Sequence, residues 1–166
     1  MLTEEKTQYD MKRLLGRSIC LDVFGKDSDD KPYDFEIQND DDGAVPRRAR
    51  YHSSAMDVEF LNVREKFDEL PETYVIFIIE HDIIGEGKLI YHVERIVLET
   101  DKPFNDDEHI IYLNCDYKKA DSDLAKLVHD FKCRNADDMH FNEMADKMRS
   151  CKETAKGVSS MRSVSE

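Results

Sequence analysis

Two carboxylates and an amide give the stretch from Ser18 to Gln38 its chemical interest. Asp22, Glu36 and Gln38 lie on what read as two short strands joined by the polar turn Lys26-Asp-Ser-Asp-Asp-Lys-Pro32, built from residue types that turns prefer. Side chains alternate along a strand with a period of two. Leu21, Val23, Phe35 and Ile37 are therefore expected on the core face, with Asp22, Glu36 and Gln38 on the opposite one. A turn centred on Asp29 sets Asp22 directly across from Glu36, with Cβ atoms about 5 Å apart. Like charges facing each other across a sheet repel, and a divalent cation between them would relieve the repulsion.

The elements that must hold this hairpin can be read on either side of it. Lys6 to Leu15, with Thr7, Tyr9, Met11 and Leu14, reads as a first strand that Gly16 breaks. After the hairpin, Asn39 to Gly43 (Asn-Asp-Asp-Asp-Gly) reads as a solvated connection or as extra carboxylates near a metal. A helix opens near Pro46, a residue suited to a first helical turn, with Val45, Ala49, Met56 and Phe60 as its apolar stripe and Ser53 as the small member between. Arg47, Arg48, Arg50, Tyr51 and His52 crowd its first turns. Cations there oppose the helix dipole. The arginines either pair with Asp40, Asp41 and Asp42 or grip a substrate phosphate beside the metal.

Thr73 to Glu80 contains six consecutive apolar residues of strand-favouring type, the pattern of a central strand buried on both faces. Gly85-Glu86-Gly87 follows a strand but precedes another strand-like segment, so it reads as a turn, not a phosphate loop. Leu89 to Leu98 and His109 to Cys115 read as further strands. Asp121 or Ser122 caps a helix carrying Leu124, Leu127, Val128 and Phe131. Asp137 or Asp138 opens a last helix with Phe141, Met144, Ala145 and Met148 on its inner face. Residues 157–166 read as a disordered tail after a single domain over 1–156.

Composition narrows the function classes. The net charge of −13 over 166 residues argues against sequence-blind adhesion to nucleic acid, because such affinity rests on phosphate neutralisation by Lys and Arg. Binding to DNA then needs a local basic patch or metal ions that offset the carboxylates. The chain has no apolar run of about 18 residues and no secretory pattern at its start. Cys20, Cys115, Cys133 and Cys151 are widely spaced with no Cys-x-x-Cys pair, and read as thiols in a reducing cytoplasm rather than a disulfide framework or zinc site. His129, Cys133 and His140 are given structural roles, because His140 lies across a helix break from the other two. No Gly-x-Ser-x-Gly elbow, Walker loop or His-Glu-x-x-His is present, which leaves the paired carboxylates as the chemical candidate.

The succession of strand, Asp, turn, Glu-x-Gln, helix and buried strand resembles the PD-(D/E)XK nuclease superfamily. More closely it resembles the Rpn-like recombination-promoting nuclease, or PD-(D/E)XK nuclease family transposase, group of bacterial proteins. The stretches that carry the resemblance are Gly-Arg-Ser-Ile-Cys-Leu-Asp22-Val-Phe-Gly-Lys-Asp, Tyr-Asp-Phe-Glu36-Ile-Gln38 and Pro46-Arg-Arg-Ala-Arg-Tyr-His-Ser-Ser. Leu-Pro-Glu-Thr-Tyr-Val-Ile-Phe-Ile and Leu-Val-His-Asp-Phe-Lys-Cys follow further on. The resemblance implies an α/β, restriction-endonuclease-like core: a mixed central sheet flanked by helices, here lacking the usual first helix.

It also implies that Asp22 and Glu36, with the backbone carbonyl of Ile37, hold Mg²⁺ or Mn²⁺, and that Gln38 positions the attacking water. Arg47, Arg48 and Arg50 would bind phosphate. The implied activity is DNA cleavage associated with transposition or recombination, with DNA reached through a local basic patch, no membrane, and a homodimer as one way to cover an exposed sheet face. Gln38 stands where the superfamily places Lys and supplies no positive charge. That substitution, the acidic balance and the short N-terminus define the alternative, an inactive remnant of the fold that serves as a binding module.

Overall fold

Thr73–Ile79 forms the strand β4 near the middle of a six-stranded sheet, as its apolar run predicts. The structure, a computed structural model, describes residues 2–11, 19–38 and 41–150. In chain order the elements are β1 (Leu2–Met11), β2 (Ile19–Asp27), β3 (Pro32–Gln38), α1 (Pro46–Phe60), β4, β5 (Ile90–Val93), β6 (Ile96–Val97), β7 (Lys102–Pro103), β8 (Glu108–Asn114) and α2 (Asp123–Lys132). Residues 142–150 are also helical. The chain divides into two compact units, Met1–Asn114 and Cys115–Glu166. The 157–166 tail, Asn39, Asp40 and the Gly16 break lie outside the described residues.

In the first unit the sheet order is β1-β2-β3-β4-β8-β5. β1, β2 and β3 form an antiparallel meander, β3, β4 and β8 run parallel, and β5 returns antiparallel to β8. Parallel neighbours require a crossover, and α1 supplies the one from β3 to β4. Ala49, Ser53, Ala55 and Met56 are buried on α1, and three of these four side chains are small enough to let the helix approach the sheet closely. Leu21, Phe24, Met56, Val75, Phe77 and Tyr112 belong to the core cluster. Phe77 stacks on Tyr112 with ring centroids 5.3 Å apart.

The hairpin turn holds through Asp27, whose Oδ1 accepts the N–H groups of Asp29 and Lys31 at 2.9 and 3.0 Å. Val23 pairs with Phe35 and Phe24 with Asp34, the register expected for a turn centred on Asp29. The faces, however, are reversed on β3. Asp34 and Glu36 are fully buried, while Ile37 is 46% exposed. The cause is α1, which covers the polar face and offers Arg48 and His52 to it. Burying a carboxylate is tolerated only with such partners. β2 departs from alternation too, since Leu21 and Phe24 are both buried. Tyr9, paired with Leu21, stacks on Phe24 at 4.9 Å, so the change of face falls at Asp22–Val23. Gln8 on the neighbouring strand has φ 53°, the distortion that accompanies it.

Three expected segments shift. The first strand begins at Leu2, ahead of the expected Lys6, and its described part runs to Met11; the expected stretch from there to Leu15 lies outside the described residues. Leu89 to Leu98 divides into β5 and β6 around Arg95, which turns to pair with Asp106 and Glu108. Gly85 and Gly87 take φ of 83° and 63° in a turn whose N–H groups bond to Asp82. In the second unit Ser122 caps α2 by accepting the Ala125 N–H at 3.1 Å. The last helix begins at residue 142 and not at Asp137 or Asp138, which lie in a single 3-10 turn capped by Asn135. Among the described residues no helix is long and apolar enough to cross a membrane.

Candidate active site

Asp34, Glu36 and Gln38 follow one another at the strand period on β3 and meet the first turns of α1. Glu36 is at the centre. Its Oε1 accepts the backbone N–H of Asp22 at 3.1 Å, and its Oε2 accepts Nη2 of Arg48 at 3.0 Å and Nε2 of Gln38 at 3.3 Å. Asp22 reciprocates, its Oδ2 accepting the backbone N–H of Ile37 at 3.2 Å. The two carboxylates expected to face each other thus each bond to the opposite strand. Asp22 Oδ1 also receives a long contact from Gln8 Nε2, at 3.5 Å.

Two residues that the sequence reading left without a chemical role complete the cluster. His52 Nδ1 lies 2.9 Å from Asp34 Oδ2 and 3.6 Å from Glu36 Oε1. One turn before it on α1, Arg48 Nε donates to His52 Nε2 at 3.3 Å. The signal for both was present in the spacing: Asp34 precedes Glu36 by the strand period, and His52 follows Arg48 by one helical turn. What hid them was the expected face of β3.

Burial raises the carboxyls of Asp34 and Glu36 to about 7. The negative charges of Asp34 and Asp22 add to the rise at Glu36, against His52. At Asp34 the contact with Glu36 and the charge of Arg48 oppose burial, while Asp22 reinforces it. Asp34 Oδ1 is buried with no hydrogen-bond partner among the described residues. Donor atoms of Asp34, Glu36 and His52 all lie within 4.8 Å of one another. An orphaned carboxylate oxygen beside a second raised carboxyl, with an imidazole nitrogen in reach, fits a divalent cation such as Mg²⁺ or Mn²⁺.

The remaining predicted residues separate by position. Arg48 turns inward to Glu36, while Arg47 and Arg50 are exposed on the first turns of α1, where no acidic residue lies. The side chains of Asp40, Asp41 and Asp42 lie outside the described residues, and so does any pairing of them with the arginines. Gly43 has a steric reason: a Cβ there would lie 1.9 Å from Oε1 of Gln38.

A family model described as PD-(D/E)XK nuclease family transposase matches residues 2–126. The chain belongs to this family. The PD-(D/E)XK match covers the hairpin, α1 and the parallel strands, and it ends within α2. The six-stranded mixed sheet is consistent with the PD-(D/E)XK nuclease fold. No curated protein and no solved structure matches the chain significantly.

Proposed function

We propose that the protein is a metal-dependent DNA endonuclease acting in transposition or recombination. The observation that carries this reading is the reciprocal bonding of Asp22 and Glu36 beside the orphaned Asp34 oxygen. Such a concentration of carboxyl groups opposes folding and makes sense as a cation site. Asp22 and Glu36, joined by the carbonyl of Ile37, would hold Mg²⁺ or Mn²⁺, with Asp34 and His52 as close neighbours. A cation bound there supplies Lewis acidity and lowers the pKa of a coordinated water.

The chain's own groups do the positioning. Gln38 presents a neutral amide that orients water without taking its proton. Arg47 and Arg50 grip phosphate at the start of α1, where helix N–H groups also favour anions. This local cationic turn receives DNA on a protein of net charge −13. The reading carries with it a bacterial, cytoplasmic setting and leaves room for a homodimer.

Nicking of supercoiled plasmid in the presence of Mg²⁺ or Mn²⁺ tests it. Asp22→Ala and Glu36→Ala are each expected to abolish cleavage, and cleavage that survives both changes overturns the assignment. One observation favours the alternative of an inactive binding module: Arg48 already neutralises Glu36 at 3.0 Å, and Gln38 stands in place of Lys. Under that alternative the wild-type protein binds DNA without cutting it.

A further inference from the structure

A second cluster of ligand-type atoms sits in the other unit, beyond the residues matched by the family. His129 and Cys133 are one turn apart at the end of α2, with Cys133 Sγ 3.5 Å from Nδ1 of His129. Between them, Asp130 is fully buried, and its Oδ1 lies 3.3 Å from the same nitrogen. The helix ends at Cys133, and the chain turns back so that His140 Nδ1 comes within 3.0 Å of Asp130 Oδ1. The two imidazoles meet edge to face, with centroids 4.7 Å apart. The break that separates His140 from the pair in sequence is what brings it back in space.

We propose that His129, Asp130, Cys133 and His140 form a structural zinc site. With metal bonds of 2.0–2.3 Å, a tetrahedral zinc has ligand-to-ligand edges of about 3.3–3.6 Å. The separations of 3.5 and 3.3 Å fall within that range, and 3.0 Å lies just below it. Without a cation, the Asp130 carboxylate faces the N–H groups of His140 and Phe141 and both imidazole Nδ1 atoms, four donors for its four lone pairs. Both rings would then have to carry a proton on Nδ1. A cation lets both nitrogens act as electron-pair donors, while Oδ2 keeps its bonds from the N–H groups of His140 and Phe141, each within 2.9 Å.

A thiolate, an imidazole and a carboxylate whose ligand atoms all lie within 4.8 Å of one another, with the His140 imidazole reaching the same carboxylate oxygen, select Zn²⁺ over the hard cations suited to the first site. The surrounding unit has a use for it. Among the described residues, its buried apolar side chains are Cys115, Ala125, Val128, Ala136 and Ala145, mostly small. Short units with so little core are commonly stapled by a metal or a disulfide. The site would tie the end of α2 to the segment entering helical residues 142–150.

Co²⁺ added to the full-length protein after chelator treatment provides the test. The expected spectrum has tetrahedral ligand-field bands and a thiolate-to-cobalt charge-transfer band, both displaced by Zn²⁺. Cys133→Ser should remove the charge-transfer band while leaving the circular dichroism unchanged. His129→Ala and His140→Ala should each weaken the ligand-field bands. Glu36→Gln should leave every band in place, which separates this site from the first. Zn²⁺ should raise the melting temperature of the wild type and not of Cys133→Ser. Absence of the charge-transfer band, its persistence in Cys133→Ser, or full band intensity in both histidine variants overturns the proposal.

Discussion

Glu36 is a carboxylate that folding alone would not choose. It is fully buried, shifted to about 7, and set beside the equally buried Asp34. Its partner Arg48 keeps part of its side chain in solvent, so it can be rehydrated if Glu36 loses its charge. Replacing a whole buried ion pair by well-packed apolar residues is often neutral or stabilising, whereas removing one partner leaves the other group uncompensated. Glu36→Gln removes only one partner and turns an amide NH₂ toward the donors from Asp22, Gln38 and Arg48, so it should destabilise the metal-free protein by about 1–3 kcal/mol, measured by urea unfolding in chelator, while abolishing cleavage. Gly43 offers a milder probe. Its added methyl in Gly43→Ala would strike Gln38 Oε1, and the flexible end of Gln38 can move aside. The expected outcome is an intact fold with the Gln38 contact to Glu36 lost, and cleavage slowed by up to about a hundredfold.

At the level of elements, α1 works against its own stability where it serves the site. No side chain caps its start, no acidic residue lies in its first turn, and Arg47, Arg48 and Arg50 crowd the positive end of its dipole. The double variant Arg47→Glu, Arg50→Glu should stabilise the helix by about 0.3–1 kcal/mol per position. It should also weaken DNA binding and flatten its salt dependence, readable in a titration at several ionic strengths. Much of this architecture was legible. Pro46 marked the start of α1, the apolar run marked β4, and the turn residues set the register that brings Asp22 to Glu36. The face of β3 was not legible. Tyr33, Phe35 and Ile37 alternate with Asp34 and Glu36, so local pattern assigns the apolar set to the core. Only the distant Arg48 and His52 make the polar face the buried one. His140 escaped for a similar reason, since its return to Asp130 depends on the turn after Cys133.

For the whole molecule, the buried carboxyls of the first site and the surface ion pairs pull stability in opposite directions with pH. Asp34 and Glu36 are raised to about 7. Their contribution is fully present below the ordinary carboxyl range and is lost as pH rises through about 7. Glu72, held down chiefly by Lys31, and Asp116, held down chiefly by Lys118, are lowered to about 2. They contribute above the ordinary range and lose that contribution as pH falls toward 2. Metal-free protein should thus be most stable at mildly acid pH, and melting curves in chelator should fall between about pH 5 and 7.5. A stability still rising over that interval would contradict the burial described for Asp34 and Glu36. Divalent cation should flatten the decline, because it favours the ionised carboxyls. The central claim is that these carboxyls hold a cation, and Mn²⁺ calorimetry tests it most directly, run near neutral pH in a Cys133→Ser background so that the second unit is silent. The account predicts saturable binding that disappears in both Asp22→Ala and Glu36→Gln. Binding that is absent from the parent, or unchanged in both variants, would contradict it.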